Sequence, residues 1–492
     1  MKNLFLLSLL AIGCLLELPG QGTQASFCGT NTADQQRLIN TRQLSNHFSI
    51  PESGIIYIPI QVHILRSDAG NGGYNLVSLQ ESLCTLNNDF KNTGIQFYFE
   101  NEVNYIDNSK WDSHPRFEAG IEMMKINNIK NVINCYIVTD PAGNCGYFAY
   151  EGDAVALSKT CLGKSSHTWA HELGHYFSLP HTFFGWEGTP YSYNKPTIEY
   201  QGQVWRTIEN VDRNNCPMEA DGFCDTPPDY ISNRWSCDEN SQSSSVQRDI
   251  NNEEFKSDGS LFMSYANDAC MSRFAADQSK AMINYLMSTR SNLLRSSINY
   301  VGIEAFNDDL FFPIDSSTIS AKDVIFNWNK ASGAESYLFQ LSRTAAFSLL
   351  IQNVRTENNF IKLDSIPTGK NFYWRVIPIN KFDFCAQSSK PLYFNTNVIS
   401  SSNDITQSEN VKIYPNPVGQ NKTLFVVASN TSSLLDISIF DLAGKKIELN
   451  TISILEGGTN TINLEEFKAG IYFLGIKNSE KEVIKKIIIS NN

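Results

Sequence analysis

The stretch from His171 to His181, HELGHYFSLPH, restricts the fold more than any other part of the chain. Residues four apart lie on one face of an α-helix, so His171 and His175 can direct two imidazoles at one ion, with Glu172 beside them. His181 follows Pro180, a residue that ends helices, and can return as a third ligand. Three histidines with an open fourth position are typical of a catalytic zinc site. Glu172 is then the general base that activates water.

Other interpretations of this stretch remain open. A His-Glu-x-x-His pattern can occur by chance on a polar helix face, but four of the seven histidines of the chain lie between His167 and His181. His167 is on the same predicted face, and we expect it to be an exposed neighbour, because a fourth protein ligand would close the site. A glutamate further along the chain, such as Glu199, could also replace His181 as the third ligand.

The motif resembles that of the metzincin metalloproteases, His-Glu-x-x-His-x-x-Gly-x-x-His followed by a methionine turn. Ser178 stands where the family has glycine, at a bend that often needs left-handed backbone, where a non-glycine residue costs about 1 kcal/mol. The segment Leu261-Phe262-Met263-Ser264-Tyr265 resembles the methionine turn. This resemblance implies that Met263 is the apolar floor beneath the histidines and that the Tyr265 phenol hydrogen-bonds the oxyanion.

Three segments, IPIQVHIL, NDFKNTGIQFYF and NVINCYIV, resemble the opening of pappalysin-type catalytic domains in sequence and order. Their patterns alternate between strand and helix, so residues 51–300 are expected to form an α/β metzincin domain with a twisted, mainly parallel sheet. The segment from Gly152 to Thr160 is predicted to be an edge strand on which an extended substrate can pair.

Cys28-Gly29-Thr30 follows the predicted signal peptide. Pappalysin-type enzymes often have a short pro-segment with Cys-Gly-Thr, and residues 26–50 resemble one. The resemblance implies a zymogen in which the Cys28 thiolate blocks the zinc until proteolysis near Arg42 removes the segment. The alternative is that Cys28 is half of an ordinary disulfide. Likeness to the family also implies a disulfide between Cys237 and Cys270.

The loop from Asp221 to Asp229 holds three carboxylates among turn-forming residues, and Ca²⁺ prefers oxygen ligands. Pappalysin-type enzymes have a similar Asp-Thr-Pro loop that binds calcium, so the resemblance implies a calcium site at Asp221, Asp225 and Thr226. An acidic turn that is fixed by proline and binds no metal is the alternative.

Residues 1–25 combine Lys2 with an apolar run from Leu4 to Leu16, which is typical of a secretory signal peptide cleaved after Ala25. A lipoprotein signal cleaved before Cys14 is the alternative. No later segment is apolar enough to cross a membrane, so we expect a secreted or cell-surface protein. The net charge of −12 argues against nucleic acids and anionic membranes as partners.

The last part of the chain has the patterns of β-domains. Residues 306–398 contain VIFNW, SYLFQLS and NFYWRVIPI and fit a fibronectin type III-like sandwich. Three aromatic residues are expected in its core, Trp328, Tyr337 and Trp374. A Ser/Asn-rich linker at 400–410 precedes residues 411–492, where KIYPNP, ISIFDLAG and GIY resemble the small all-β sorting domain of the type IX secretion system.

The sequence therefore predicts a secreted zinc endopeptidase of the pappalysin type. Its expected cofactors are Zn²⁺ and Ca²⁺, and its expected partners are protein or peptide substrates and the type IX secretion machinery. The alternative is a surface adhesin or binding protein with an inactive metalloprotease-like domain, for which Ser178 is the warning sign. Glu172 argues against lost activity, because this residue serves the chemistry and not the affinity for zinc.

Overall fold

The fold was analysed in a computed structural model of the 492-residue chain. It describes residues 26–43, 54–188, 197–200, 203–306, 311–319, 321–396, 411–419, 421–428, 435–441, 445–447, 453–454, 459–477 and 482–490. The predicted signal peptide and the 400–410 linker lie outside these residues. The chain divides into two units, Met1–Ile298 and Asn299–Asn492, whereas the finer domain boundaries remain predictions. No helix in the described residues is long and apolar enough to cross a membrane.

The first unit is a mixed α/β structure. Its helices are α1 (Thr32–Gln43), α2 (Leu76–Phe90), α3 (Ser109–Asp112), α4 (Phe117–Asn127), α5 (Thr168–Tyr176) and α6 (Ala276–Thr289). Its strands are β1 (Ser26–Cys28), β2 (Ile56–Arg66), β3 (Ile95–Phe99), β4 (Asn104–Asp107), β5 (Ser113–His114), β6 (Ile133–Val138), β7 (Asp140–Pro141), β8 (Asn144–Ala149), β9 (Ala154–Ser158), β10 (Thr197–Tyr200), β11 (Gln203–Thr207), β12 (Gln247–Arg248) and β13 (Glu254–Phe255). Helices and strands alternate as the sequence predicts.

One large sheet runs through this unit in the order β1-β8-β9-β6-β2-β3, with β4 also paired to β2. Every pair is parallel except β8 with β9, so the predicted mainly parallel sheet is confirmed. β2 lies between other strands, and its apolar side chains Ile58, Ile60, Val62 and Ile64 are fully buried. A strand enclosed in this way has a long apolar sequence, and this sequence allowed the strand to be predicted.

The prediction of an edge strand between Gly152 and Thr160 is wrong. This segment forms β9, which pairs with β6 on one side and β8 on the other. Only four residues connect β8 to β9, so the chain can fold back only as an antiparallel hairpin, and β8 takes the outer position. The far side of β8 pairs with β1, near the N-terminus of the described chain.

Disulfides cross-link the first unit. The disulfides of this unit include Cys145–Cys161, Cys216–Cys224 and Cys237–Cys270. The last is the pair that likeness to the family implies. Cys28 keeps a buried thiol, and this contradicts the alternative that it is half of a disulfide.

The second unit consists of β-sheets. Its strands are β14 (Ser317–Ile319), β15 (Lys322–Asn327), β16 (Ser336–Ser342), β17 (Leu350–Thr356), β18 (Phe360–Ser365), β19 (Asn371–Ile379), β20 (Leu392–Thr396), β21 (Val411–Tyr414), β22 (Thr423–Ala428), β23 (Leu435–Phe440), β24 (Lys446–Ile447), β25 (Ser453–Ile454), β26 (Thr459–Asn463), β27 (Gly470–Lys477) and β28 (Glu482–Ile489). The first seven strands form a sheet of five and a sheet of two. Trp328, Tyr337 and Trp374 are buried together in one core there, as predicted.

Candidate metal centre

The histidine motif begins on α5, a helix in which every residue is buried. His171, Glu172 and His175 have no exposed surface, and the helix lies against β8 and β9. Two imidazoles and a carboxylate in a fully buried helix are costly unless other groups satisfy them. The surroundings of α5 must therefore supply partners for these side chains.

A tight bend follows α5 and brings the third histidine back. Ser178 has φ of +79°, so the left-handed backbone predicted at this position is confirmed. Its amide donates to the His175 carbonyl and the Leu179 amide donates to the Gly174 carbonyl, both at 2.9 Å. This pair of hydrogen bonds is a Schellman motif, which closes a helix and reverses the chain. His181 thereby lies next to the helix and is almost fully buried.

The Nδ1 atom of each histidine in the motif has an oxygen partner. The pairs are His171 with the Phe262 carbonyl at 2.6 Å, His175 with the Leu179 carbonyl at 2.7 Å and His181 with the Glu187 carboxylate at 3.0 Å. A carbonyl oxygen can only accept, so the proton of His171 and of His175 resides on Nδ1. Their Nε2 atoms then carry lone pairs that are available to a metal ion.

These Nε2 atoms converge on one point. The Nε2 atoms of His175 and His181 are 3.2 Å apart, and among the described residues no hydrogen-bond partner faces Nε2 of His171. Cys28 contributes a sulfur, and the four candidate ligand atoms all lie within 4.8 Å of one another. Facing lone pairs repel each other unless a cation lies between them, and nitrogen with sulfur is the donor set of zinc. The residues present therefore fit a zinc ion.

Burial controls the protonation of this cluster. It lowers the pKa of His171 and His175 well below the usual value, which keeps both imidazoles neutral as metal ligands must be. It also raises the pKa of Glu172 to about 8, although hydrogen bonds involving Cys28 and Thr30 act in the opposite direction.

Met263 and Tyr265 both pack near the histidine motif. Met263 is fully buried against α5, at the point where Gly174 leaves room for its sulfur. The Tyr265 ring is 4.9 Å from the imidazole of His181, and its hydroxyl donates to the Cys28 carbonyl at 3.2 Å. The structure thus brings both residues of the predicted methionine turn to the histidines.

The N-terminal segment, residues 26–43, lies over the histidine cluster. β1 pairs in parallel with the outer side of β8, and Cys28 is opposite Gly146 in this register. The Cys28 sulfur is 3.6 Å from a carboxylate oxygen of Glu172 and 3.6 Å from Nε2 of His175. The thiol is therefore placed where a fourth ligand of the metal would be.

Two further residues of this segment reach the site, and sequence reasoning missed them. The Thr30 hydroxyl donates to Glu172 at 3.2 Å. The Gln35 side chain accepts from the His181 amide at 2.9 Å and donates to the Thr30 carbonyl at 3.2 Å. Both residues are buried. Only the position of Thr30 in Cys-Gly-Thr pointed to it, since nothing in the sequence shows which residues of α1 face the histidines.

His167 and Glu199 were the other residues considered near the metal. His167 is half-buried rather than exposed, and its Nδ1 is 2.8 Å from a carboxylate oxygen of Asp89, so the expectation of an exposed neighbour is wrong. The side chain of Glu199 lies outside the described residues. In the part of the chain that the structure describes, the histidine and cysteine cluster is the one group of three or more His, Cys, Asp or Glu residues whose candidate ligand atoms all lie within 4.8 Å of one another.

The acidic loop contacts the residue next to His181, because Asp229 accepts from the Thr182 hydroxyl at 2.8 Å. Thr226 donates to Asp221 at 3.1 Å, and Asp225 accepts from the Asp277 amide at 2.8 Å, in the first turn of α6. Sequence reasoning missed Glu209, which is buried with both oxygens lacking a hydrogen-bond donor among the described residues. Burial first, and then the charge of Asp221, raise the pKa of Glu209 to about 10.

Comparison with known proteins identifies the end of the chain. Residues 412–490 match the family described as Secretion system C-terminal sorting domain. This domain implies the type IX secretion machinery as a partner. The protein is therefore secreted or located at the cell surface, as the sequence predicts.

Part of the chain is distantly similar to extracellular metalloproteases of fungi. The protein from Sordaria macrospora is 22% identical over 299 residues, which cover 55% of this chain and 92% of the relative. The protein from Colletotrichum graminicola is 26% identical and aligns over 33% of this chain and 68% of its own length. The one from Neurospora crassa is 27% identical, over 32% of this chain and 64% of the relative. These similarities indicate a protease that uses a metal.

Similarity to solved structures is weak. A BSP domain of a biofilm associated protein has a TM-score of 0.23 and 13% identity, covering 36% of this chain and 28% of its own. The fn3 domain of human collagen alpha-1(XX) has a TM-score of 0.17 and 15% identity, covering 22% of this chain and all of its own. Scores this low assign no fold.

Gly174 offers a test of the packing beneath the histidines. A Cβ atom there would collide with the sulfur of Met263, so we expect Gly174→Ala to destabilise the protein by roughly 1–3 kcal/mol through overpacking, despite the higher helix propensity of alanine. Denaturant unfolding and zinc content of the full chain measure the effect. Gly54→Ala is the control, because nothing lies within 4 Å of its Cβ position. Equal stability of the two variants would contradict this packing.

Proposed function

We propose that the chain is a secreted zinc-dependent endopeptidase of the pappalysin type, which hydrolyses peptide bonds of extracellular proteins. The observation that carries this proposal is the convergence of three buried imidazoles, from His171, His175 and His181, beside the buried carboxylate of Glu172. Distant similarity to extracellular metalloproteases supports the same class of enzyme.

Each residue of the site has a role in this proposal. The three histidines hold Zn²⁺, which when bound polarises the substrate carbonyl and makes water more acidic. Glu172 takes a proton from the attacking water and returns it to the leaving amine. The Tyr265 hydroxyl, which donates to the Cys28 carbonyl in the precursor, donates to the developing oxyanion once the segment leaves. Met263 supports α5 from below.

The N-terminal segment keeps the enzyme latent in three ways. Cys28 occupies the fourth ligand position, and Thr30 hydrogen-bonds the carboxylate that must accept the proton. β1 also covers the outer side of β8, which an extended substrate would otherwise use for backbone pairing. Proteolysis near Arg42 would release all three contacts together.

We also propose that Ca²⁺ binds at the acidic loop. Asp221, Asp225 and Thr226 were the expected ligands, and Glu209 is added because its buried carboxyl group lies beside that of Asp221, where a bound cation would stabilise both carboxylates in their ionised form. One oxygen of Asp225 is likewise buried without a hydrogen-bond partner among the described residues.

The second unit is proposed to serve export and spacing. Seven strands in two sheets with a shared aromatic core support a fibronectin type III-like domain at residues 306–398. The matched sorting domain after it is then the address that the type IX machinery reads.

The role of Glu172 is tested by Glu172→Ala in the chain matured by removal of the N-terminal segment. We expect about one zinc ion per chain and a loss of peptidase activity on the order of 10²- to 10⁴-fold, because the base is removed and all three ligands remain. Metal analysis and a peptide digest measure both, with exposed Glu118→Ala as the control. Retained turnover would refute the role, and a zinc-loaded mature wild type that cleaves nothing would favour the binding-protein alternative.

Latency is tested by Cys28→Ala in the uncleaved precursor. We expect activity above the wild-type precursor and below the mature enzyme, since Thr30 and β1 still cover the site, and a further rise in the variant that also carries Thr30→Val. A generic peptide assay measures this. Cys135→Ala, which alters the other buried thiol of the first unit, should change nothing. A folded but fully inactive Cys28→Ala precursor would end the proposal of a cysteine switch.

The calcium site is tested by Glu209→Gln. In the wild-type chain, millimolar Ca²⁺ should raise the free energy of unfolding relative to EGTA, by about 2.7 kcal/mol at a hundred times the Kd. Glu209→Gln should lose most of this gain, whereas Glu219→Gln in the same region should keep it. Thermal unfolding with and without Ca²⁺ measures the difference. A wild-type chain that does not respond to Ca²⁺ would show that the loop is an acidic turn without a metal.

A further inference from the structure

Phe27 lies in a pocket beside the metal centre. This residue precedes Cys28 and is 4% exposed, and its ring is 4.9 Å from the imidazole of His171 and 5.4 Å from the ring of Tyr265. The guanidinium carbon of Arg234 is 3.9 Å from the centre of the Phe27 ring, at the distance of a close cation–π contact. The aromatic ring is thus held between the cluster and a cation.

The space next to this ring is larger than the ring itself needs. A cavity of about 400 Å³ lies there, and Phe27, Thr168, Arg234, Asp268 and the Cys145–Cys161 disulfide are among its walls. Phe27 belongs to the segment whose removal we propose, and the other walls belong to the body of the first unit. Release of the segment would leave a pocket one residue away from the metal.

The charge of Arg234 is balanced by that of Asp268 within the pocket. One face of the Arg234 guanidinium group remains open, and an aromatic ring can stack on it. The Arg234 side chain donates to the Asp268 carboxylate at 2.6 Å and to the Ala266 carbonyl. The other carboxylate oxygen of Asp268 accepts from the His167 amide at 2.8 Å. The Asp268 carboxylate therefore already has two donors, one of which is the cation Arg234, so an incoming lysine or arginine would have to displace Arg234 from it. An aromatic ring needs only the open face.

We propose that this pocket binds an aromatic side chain of the substrate, next to the scissile bond, and that Arg234 determines this preference. The inference rests on the proposed peptidase function, because it assigns the specificity of the same site. Phe27 then shows where the substrate side chain lies. Cys28 lies where the scissile peptide group of a substrate would lie. The substrate residue next to that peptide group then corresponds to Phe27 and reaches the pocket.

The contact between Phe27 and Arg234 can be tested in the full chain, by a measurement that needs no peptidase activity. Labelling of the Cys28 thiol reports how often the N-terminal segment opens, because this thiol is buried. We expect Phe27→Leu and Arg234→Lys each to raise the labelling rate about fivefold and the double variant to raise it no further, since both remove the same contact. Phe27→Tyr should label like the wild type. Arg248→Lys, in the ion pair with Glu254 away from the pocket, is the control.

The specificity is tested with the mature enzyme and peptides that differ at one position beside the cleaved bond. We expect kcat/KM for Phe or Tyr to exceed that for Leu by about five- to tenfold, and Arg to be the poorest. Arg234→Lys should bring Phe and Leu to the same value, and Arg248→Lys should keep the preference.

The outcomes separate this inference from the proposed function. Additive labelling effects of Phe27→Leu and Arg234→Lys, or a preference for Arg or Lys over Phe in cleavage, would overturn the aromatic pocket while the peptidase remains. Coupled labelling together with a mature chain that cleaves no peptide would overturn the peptidase and leave the aromatic pocket as a binding site.

Discussion

The candidate site of the first unit is built on three buried imidazoles whose Nε2 atoms face one another. The Nε2 atoms of His175 and His181 are 3.2 Å apart and shielded from water, so a proton or a cation must lie between them. The carbonyls of Phe262 and Leu179 hold the Nδ1 protons of His171 and His175 and so direct their Nε2 atoms inward. A metal cation at the meeting point satisfies all three nitrogens together, which is why the arrangement suits a metal centre.

The N-terminal segment, residues 26–43, contacts the same histidine cluster. It adds β1 to the exposed side of β8 and brings a sulfur, a hydroxyl and an amide side chain to the buried cluster. In the proposed enzyme these contacts would both satisfy the polar groups of the site and block it. Phe27 of the same segment also fills a neighbouring pocket, where its ring packs against the planar guanidinium group of Arg234. A segment that fits the cleft so closely is informative about what the cleft binds.

Much of the centre was predictable because its chemistry is local. The i, i+4 spacing of His171 and His175 fixes their common face once a helix forms, and Pro180 with a left-handed Ser178 returns the chain within a few residues. Glu209 and Arg234 were not predictable in this way. Arg234 is 34 positions from Asp268, and single acidic or basic residues such as Glu209 carry no spacing that distinguishes a buried one from an exposed one.

The sequence by itself determined the alternating α/β order, the mainly parallel sheet, the histidine helix with its bend, the aromatic core of the second unit and the sorting domain that directs export. These follow from periodicity and from motifs within short stretches of chain. Only the tertiary structure decided that β8 and not β9 forms the outer side of the hairpin, that β1 covers it, and that Cys28 keeps a thiol at the histidines. Strand order and long-range contacts depend on which surfaces bury best together, and that comparison involves residues more than a hundred positions apart.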